Sequence, residues 1–90
     1  MYRIEFSDQA IKDALKLKKS EQQAYKKLEK LLQELKEHPY SGTGLPEPLK
    51  YKRSGQWSRR ISKKHRLVYS VNDEKITVLV ISAWGHYDDK

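Results

Sequence analysis

The 90-residue sequence contains no cysteine. Disulfide bonds, thiolate metal sites and cysteine nucleophiles are therefore excluded, and a reducing compartment suits such a chain. No apolar run approaches the roughly 20 residues that a membrane-spanning helix requires. The N-terminal sequence MYRIEFS also lacks the apolar segment behind a basic start that marks a secretory signal. We therefore expect a cytoplasmic protein without a membrane partner.

Patterns for metal and cofactor chemistry are equally scarce. The three histidines and 12 acidic residues form no pair with convincing metal-ligand spacing. The sequence has no P-loop, no other glycine-rich phosphate loop and no Ser/His/Asp arrangement. We therefore expect neither a metal nor a cofactor, so that any catalysis has to come from side chains alone.

Apolar residues are few, at 37% of the chain. We expect one domain over residues 1–90, because chains divide into several domains only well beyond this length. Folding at this size hides only about 60–65% of the surface of the unfolded chain, so the core has to be small. The apolar residues nevertheless fall into periodic runs, which indicates a folded domain rather than a disordered chain.

Acidic residues are almost missing from the middle of the chain, where Glu47 is the only acid between Glu37 and Asp73. Residues 50–66 include eight basic residues and no acidic one: Lys50, Lys52, Arg53, Arg59, Arg60, Lys63, Lys64 and Arg66. The net charge of the whole chain is +7. Such a basic block favours a polyanion, most commonly nucleic acid, although a lysine-rich surface without a ligand fits the charge equally well.

The N-terminal half predicts a strand and two helices. Residues 2–6 alternate as a strand, and Ser7 or Asp8 offers an N-cap for a first helix. The apolar positions of that helix are Ile11, Ala14 and Leu15. Residues 20–23 (SEQQ) match a capping box for a second helix, which Pro39 ends.

One apolar stripe runs along the second helix, and its members are Ala24, Leu28, Leu31, Leu32 and Leu35. A stripe of this kind serves either the core or a partner helix, and core packing is the commoner use.

The C-terminal half predicts a loop and three strands. The loop covers residues 40–55, and the strands cover residues 57–62, 66–71 and 76–83, with polar turn residues between the last two. The predicted order is β-α-α-β-β-β. We therefore predict an α+β fold with two N-terminal helices packed on one face of a mainly antiparallel sheet, whose other face stays open.

Strand alternation assigns two arginines to that open face. If Leu67 and Tyr69 point to the helices, Arg66 points away from them, and an inward Ile61 likewise turns Arg60 outward. Two guanidiniums on one surface suit the binding of phosphate oxygens. The pattern also fits two exposed arginines without a ligand.

An isolated acid and a late histidine are further candidates. Glu47 lies between Pro46 and Pro48, which stiffen the backbone around it. This carboxylate is either a charge-balancing ion-pair partner or a general base near a phosphate, and the sequence leaves both readings open. His86 could donate a proton near neutral pH, and Tyr87 could stack on a base or bind a phosphate, although a single terminal histidine is more often a surface residue.

Four stretches carry a likeness to a known family. They are residues 42–50 (GTGLPEPLK), 54–61 (SGQWSRRI), 65–69 (HRLVY) and 86–87 (HY). In this order and at these spacings they resemble the YoeB (Txe) branch of the RelE-like toxins. The likeness covers essentially the whole chain, and the combination is highly specific although no single piece is.

The resemblance implies a RelE-like fold and a ribosome-dependent endoribonuclease that cuts mRNA in the decoding A site without a metal. It also implies a cognate antitoxin of the YefM type, whose flexible tail covers the active surface, and a homodimer in the antitoxin complex.

Roles for individual residues follow from the matching motifs. The resemblance implies that Glu47 is the general base, Arg66 the charge stabiliser, His86 the general acid and Tyr87 a positioning residue. It also implies RNA or phosphate contacts from Lys50, Arg60 and Arg59, with Arg59 ranked last because strand alternation assigns it to the helix side. From the residues alone, which of Glu47 and His86 removes a proton and which donates one stays open.

The sequence departs from the family pattern at its end, because Asp88-Asp89-Lys90 follow the His-Tyr pair at which the pattern commonly stops. Two anions at this position would repel RNA phosphates if they folded inward. We expect deletion of residues 88–90 to leave activity unchanged or raised, and a large loss would contradict a passive tail.

Two other functions fit the same basic face: a non-catalytic RNA-binding or ribosome-binding module, and a structural partner of an acidic antitoxin. All three predict salt-sensitive association with polyanions. Only the nuclease requires Glu47, Arg66 and His86 to affect scission more than binding.

Overall fold

The computed structural model describes residues 1–85. Within them, two helices cover one face of a five-stranded sheet with the strand order β1-β5-β4-β3-β2. The elements are β1 (Arg3–Phe6), α1 (Asp8–Ser20), α2 (Gln22–Glu37), β2 (Glu47–Pro48), β3 (Gln56–Arg60), β4 (Arg66–Asn72) and β5 (Thr77–Ser82). β1 runs parallel to β5, and the other neighbouring strands are antiparallel. The predicted α+β fold and its mainly antiparallel sheet are confirmed.

Helix α1 begins as predicted but buries a different face. The Ser7 hydroxyl oxygen accepts a hydrogen bond from the backbone N–H of Ala10 at 3.0 Å, which makes Ser7 the N-cap. The predicted apolar positions Ile11 and Leu15 are 48% and 61% exposed. Ala10, Asp13 and Leu17 are buried in their place.

A buried carboxylate explains this shift of the helix face. Asp13 Oδ2 accepts the backbone N–H of Ala83 at 2.9 Å, and Oδ1 accepts Gln9 Nε2 at 2.8 Å. Burial of a carboxylate is tolerable when it is hydrogen-bonded, so a hydropathy pattern alone selects the wrong face here.

The predicted capping box at the start of α2 is wrong. Ser20 is the last residue of α1, and its hydroxyl donates to the Lys16 carbonyl at 2.7 Å. Glu21 is the N-cap of α2 but makes no side-chain cap hydrogen bond. Its carboxylate contacts His65 and Lys64 instead.

The core lies between the helices and the sheet, and the leucine stripe of α2 belongs to it as predicted. Ala24, Leu28, Leu31 and Leu35 are buried, and Leu32 packs against them half-buried. They meet inward-facing residues of β4 and β5, namely Leu67, Tyr69, Val78 and Val80. Strand alternation therefore assigned Leu67 and Tyr69 to the correct face.

The predicted loop over residues 40–55 contains structure of its own. Glu47 and Pro48 form the two-residue strand β2, which pairs with Ser58 and Trp57 of β3, and Tyr51–Arg53 form a 3₁₀ turn. The short strand extends the sheet beyond β3 and brings Glu47 onto it. Neither helix within residues 1–85 has the length and apolar character that a membrane span requires.

Candidate active site

The open sheet face carries the predicted charged residues in two neighbouring rows across the strands. In one row Glu47 of β2 lies opposite Ser58 of β3, which in turn lies opposite Val68 of β4. In the next row Arg60 of β3 lies opposite Arg66 of β4. Side chains of directly paired residues on neighbouring strands share a face, and so do alternate residues of one strand. The sheet pairing therefore brings Glu47, Arg60 and Arg66 together on one face.

These side chains line a small hollow with a volume of about 90 Å³. Its lining residues are Gly44, Leu45, Glu47, Ser58, Arg60 and Arg66. Glu47 and Arg60 are exposed, Arg66 is half-buried and Ser58 is buried. A solvent-accessible carboxylate therefore shares one concavity with two guanidiniums.

Backbone hydrogen bonds fix the segment that carries Glu47 at both ends. On one side the Arg60 N–H donates to the Gly44 carbonyl at 2.6 Å, and on the other the Leu49 N–H donates to the Gln56 carbonyl at 2.8 Å. Gly44 has a φ of +88°, and a Cβ added there would lie 3.0 Å from the carbonyl oxygen of Arg60. Glycine is required at this position by both its backbone conformation and the close approach to β3.

Arg59 does not belong to this surface, which corrects its predicted role as an RNA contact. Its side chain is fully buried on the helix side, and its guanidinium donates five hydrogen bonds within the fold. The acceptors are the Tyr69 hydroxyl, the Glu34 carboxylate and the carbonyls of His38, Ser41 and Thr43. A guanidinium has five N–H donors, so none remains for RNA. Arg59 holds the loop after α2 against β3.

The facing arginines make the hollow suitable for an anion. Arg60 and Arg66 lie directly opposite each other, an arrangement that is unfavourable between like charges. The Nη1 atom of Arg66 lies 3.4 Å from the Ser62 carbonyl oxygen, so part of its guanidinium is oriented by the chain. An anion between the two side chains would offset their repulsion, and guanidiniums match the oxygens of a phosphate well.

The other predicted site residues lie apart from the hollow or outside the described structure. Lys50 is exposed, immediately before the 3₁₀ turn, and is not among the residues that line the hollow. His86 and Tyr87 lie outside the described residues. The last described residue, Gly85, accepts the Arg66 N–H at 2.9 Å, so the backbone next to His86 in sequence is bonded to a residue of the hollow.

A second and larger hollow, with a volume of about 310 Å³, lies on the same sheet face beside β1. It is also lined by an arginine and a glutamate, Arg3 and Glu5, whose side chains form an exposed ion pair at 3.4 Å. Two facing arginines are absent from its lining. Arg3 and Glu5 therefore serve as controls for the arginines and the glutamate of the first hollow. No group of three or more His, Cys, Asp or Glu side chains within residues 1–85 is arranged to hold a metal ion.

The sequence did not single out His65, which the structure makes a central contact. Its ring is buried, and both ring nitrogens have hydrogen-bond partners, Glu21 and the backbone of Gly85. These partners lie 44 and 20 residues away along the chain. No local pattern signals contacts over such separations.

One family profile matches the chain over residues 6–87, and its description is YoeB-like toxin of bacterial type II toxin-antitoxin system. Among curated proteins, toxin YoeB of Escherichia coli (strain K12) is 36% identical over 85 residues, which cover 94% of this chain and 99% of that protein.

Solved structures of the same kind share the fold. The YoeB/ParE toxin from Agrobacterium tumefaciens matches with a TM-score of 0.89 and 32% identity, over 94% of this chain and 99% of that one. The toxin in a YoeB-YefM complex from Staphylococcus aureus matches with a TM-score of 0.82 and 35% identity, over 97% and 99%. A YoeB dimer from Staphylococcus aureus matches with a TM-score of 0.84 and 36% identity, over 96% and 98%.

Proposed function

The chain belongs to the YoeB-like toxins of bacterial type II toxin–antitoxin systems, and on this premise we propose that it is a ribosome-dependent endoribonuclease that cleaves mRNA in the decoding site and so inhibits translation. The observation that carries the proposal is the hollow that Glu47 shares with Arg60 and Arg66. It combines a proton acceptor with two cations suited to one phosphate.

RNA carries its own nucleophile, the ribose 2′-hydroxyl, so cleavage requires only proton transfers and charge stabilisation. In the proposed reaction Glu47 takes the proton of the 2′-hydroxyl, whose oxygen attacks the neighbouring phosphorus. The bond from phosphorus to the 5′-oxygen breaks, which leaves a 2′,3′-cyclic phosphate and a 5′-hydroxyl. Arg66 stabilises the additional negative charge on the phosphoryl oxygens.

The remaining roles complete the proton balance and the binding of the message. His86 donates the proton that the leaving 5′-oxygen requires, Tyr87 positions the substrate, and Lys50 and Arg60 contact phosphates. Positioned acids and bases contribute about 10²–10⁴-fold to a rate, and fixed cationic groups a comparable factor. The ribosome would supply much of the remainder by holding the codon bent for in-line attack.

We propose that the partners follow the relatives whose structures are solved. A YefM-type antitoxin would cover the basic open face, as the composition of the YoeB-YefM complex of Staphylococcus aureus suggests, and the dimer of that relative supports a homodimer here. Residues 1–90 would act as one unit in the cytoplasm, where ribosomes translate.

The proposal is tested with purified protein on ribosomes that hold a defined codon in the decoding site, by mapping the new 3′ ends of the message. Wild type is expected to cut within that codon and leave a cyclic phosphate or a 3′-phosphate. Glu47→Gln and Arg66→Gln are expected to bind the ribosome but to cut about 10²-fold or more slowly.

Glu5→Gln and Arg3→Gln are the matched controls, because they make the same changes on the same sheet face in the other hollow. They are expected to cut like wild type. Equal rates for Glu47→Gln and Glu5→Gln would overturn the assigned base, and ribosome binding without any cut by wild type would favour a non-catalytic binding module instead.

A further inference from the structure

The buried ring of His65 joins three separate parts of the chain. Its Nε2 atom lies 2.9 Å from the Glu21 carboxylate at the start of α2, and its Nδ1 atom lies 2.8 Å from the backbone nitrogen of Gly85, after β5. A backbone N–H can only donate, so Nδ1 is the acceptor and the ring proton lies on Nε2, directed at Glu21. The two hydrogen bonds thus define one tautomer.

The surroundings hold the ring in that orientation. Trp84 packs against it with ring centroids 4.3 Å apart, and the Lys16 ammonium lies 4.1 Å from the centroid of the Trp84 ring. The Glu21 carboxylate also contacts Lys64 at 3.4 Å. The hydrogen bond to His65, followed by the contact with Lys64, holds the pKa of Glu21 below its ordinary value, so the carboxylate stays ionised as an acceptor.

Gly85 connects the His65 ring to Arg66, which lines the hollow. Gly85 donates its N–H to the His65 ring and accepts the N–H of Arg66 through its carbonyl, at 2.8 and 2.9 Å. The two polar backbone groups of Gly85 are therefore bound to two consecutive residues, His65 just before β4 and Arg66 at its first position. Arg66 is one of them, and its side chain lines the hollow with Glu47.

We propose that His65 is a positioning residue for RNA cleavage, because its Nδ1 atom anchors Gly85 beside Arg66 and so fixes the point from which the chain continues to His86. The inference rests on the proposed nuclease function and adds a residue that contacts no substrate. Hydrogen-bond partners that orient metal-ligating side chains change affinity or activity about 10–100-fold when they are altered, and we expect an effect of the same order here.

Two substitutions separate the two hydrogen bonds of the ring. In His65→Asn the side-chain oxygen replaces Nδ1 and still accepts from Gly85, while the contact with Glu21 is lost. In His65→Gln the amide nitrogen replaces Nε2 and still donates to Glu21, while the acceptor for Gly85 is lost. Each variant removes one hydrogen bond from the same buried site, so each is the control of the other for stability.

The first measurement is hydrogen exchange of the Gly85 amide by NMR, which needs no activity. Protection is expected in wild type and His65→Asn and is expected to be lost in His65→Gln. The second is the steady-state rate of cleavage as a function of the concentration of programmed ribosomes, which gives kcat and KM. His65→Asn is expected to stay within about 3-fold of wild type, and His65→Gln to lose about 10–100-fold in kcat with KM unchanged within about 2-fold.

The outcomes distinguish the two proposals. Equal kcat values for the two variants, with wild type active, would overturn the positioning role and leave the nuclease proposal intact. Free exchange of the Gly85 amide in wild type would likewise overturn the positioning role and leave the nuclease proposal intact. Wild type that does not cut would overturn the nuclease proposal, and this role of His65 with it.

Discussion

At the scale of single residues, Arg59 and Arg60 are neighbours on β3 with opposite environments. Arg59 is fully buried with five hydrogen bonds, one of them to Glu34 at 3.1 Å, whereas Arg60 is exposed in the hollow. Thr43, and then Arg59, hold the pKa of Glu34 below its ordinary value, so this carboxylate stays charged beside the guanidinium. Removing Arg59 would take away the cation beside that carboxylate and the donor of three loop carbonyls.

We predict that Arg59→Ala lowers the free energy of unfolding by about 3–5 kcal/mol, because it empties the space of a fully buried side chain and removes five hydrogen bonds. Arg60→Ala is the control and is expected to change it by no more than about 0.5 kcal/mol, as exposed substitutions do. Urea unfolding measures both. Similar stabilities for the two variants would contradict the structural role of Arg59.

Asp73 forms a second polar cluster, in which it accepts hydrogen bonds from Tyr2 at 2.5 Å and from Tyr40 at 2.7 Å. The hydrogen bond from Tyr2, followed by that from Tyr40, keeps the pKa of Asp73 below its ordinary value of 3.8. The hydrogen bond to Asp73, followed by burial, raises the pKa of Tyr40 from 10.0 to about 12. The cluster ties the residue before β1 and the loop after α2 to the turn between β4 and β5.

The signs of these shifts define a pH window. The lowered pKa of Asp73 gives stability that is present above pH 3.8 and lost as the pH falls through the folded value. The raised pKa of Tyr40 gives stability that is present below pH 10.0 and lost as the pH rises towards about 12. We predict that the difference in Tm between wild type and Asp73→Asn is constant between about pH 5 and 9 and shrinks on both sides. A difference that does not vary with pH would show that the charge of Asp73 has no part in it.

Among the elements, the segment before β2 packs against β3 at Gly44. Gly55 has a similar φ value and makes no such contact, so the two glycines can be compared. Gly44 and Gly55 have φ values of +88° and +93°. A Cβ at Gly44 would meet the backbone of Arg60 at 3.0 Å and the Arg59 side chain at 3.2 Å, whereas a Cβ at Gly55 would meet nothing within 4 Å. The two positions therefore share the strain of a left-handed backbone and differ in the contact.

We predict that Gly55→Ala destabilises the fold by about 1–2 kcal/mol, the cost of the left-handed conformation alone, and leaves cleavage unchanged. Gly44→Ala is expected to cost more and to slow cleavage by about 10-fold or more, because it pushes the segment that carries Glu47 away from β3. Unfolding and single-turnover cleavage are measured side by side. Equal cleavage rates would mean that the position of Glu47 does not depend on this contact.

The alternation of residues along strands and the family motifs correctly predicted those parts of the fold that depend on local sequence. Alternation along β3 and β4 correctly turned Arg60 and Arg66 to the open face. The family resemblance is confirmed by the match over residues 6–87. Contacts between distant residues were not predictable: Asp13 is buried because it binds Ala83, and Glu21 binds His65 rather than capping α2.

The candidate site was also predicted only in part. Its residues could be selected from local sequence, whereas their contacts with distant residues could not. Glu47 was singled out by its flanking prolines and by the lack of other acids nearby in sequence. Its pairing with Ser58 of β3 was not predicted, because β2 has only two residues and is too short to show alternation. Strand alternation put Arg59 on the helix side, but the family resemblance implied an RNA contact that its burial excludes. The roles of Glu47 and Arg66 remain predictions, as do those of His86 and Tyr87, which lie outside the described residues.

For the whole molecule, the net charge of +7 and the basic block of residues 50–66 favour association with a polyanion. Binding to single-stranded RNA should weaken as salt rises, with a logarithmic slope of about −0.7 for each phosphate contact. We predict that Arg60→Gln reduces the magnitude of this slope by about 0.7 and that Lys12→Gln, at an exposed position of α1, does not. Both are made together with Glu47→Gln so that the RNA stays intact, and equal slopes would exclude Arg60 as a phosphate contact.

In the proposed mechanism the 2′-hydroxyl of the RNA itself is the nucleophile. The most direct measurement is the single-turnover rate of cleavage on ribosomes whose message carries one 2′-deoxynucleotide at the mapped cut position. We predict that this message binds as the all-ribose message does and is not cut at that position. Cleavage of the deoxy-substituted bond at the normal rate would show that the 2′-hydroxyl is not the nucleophile.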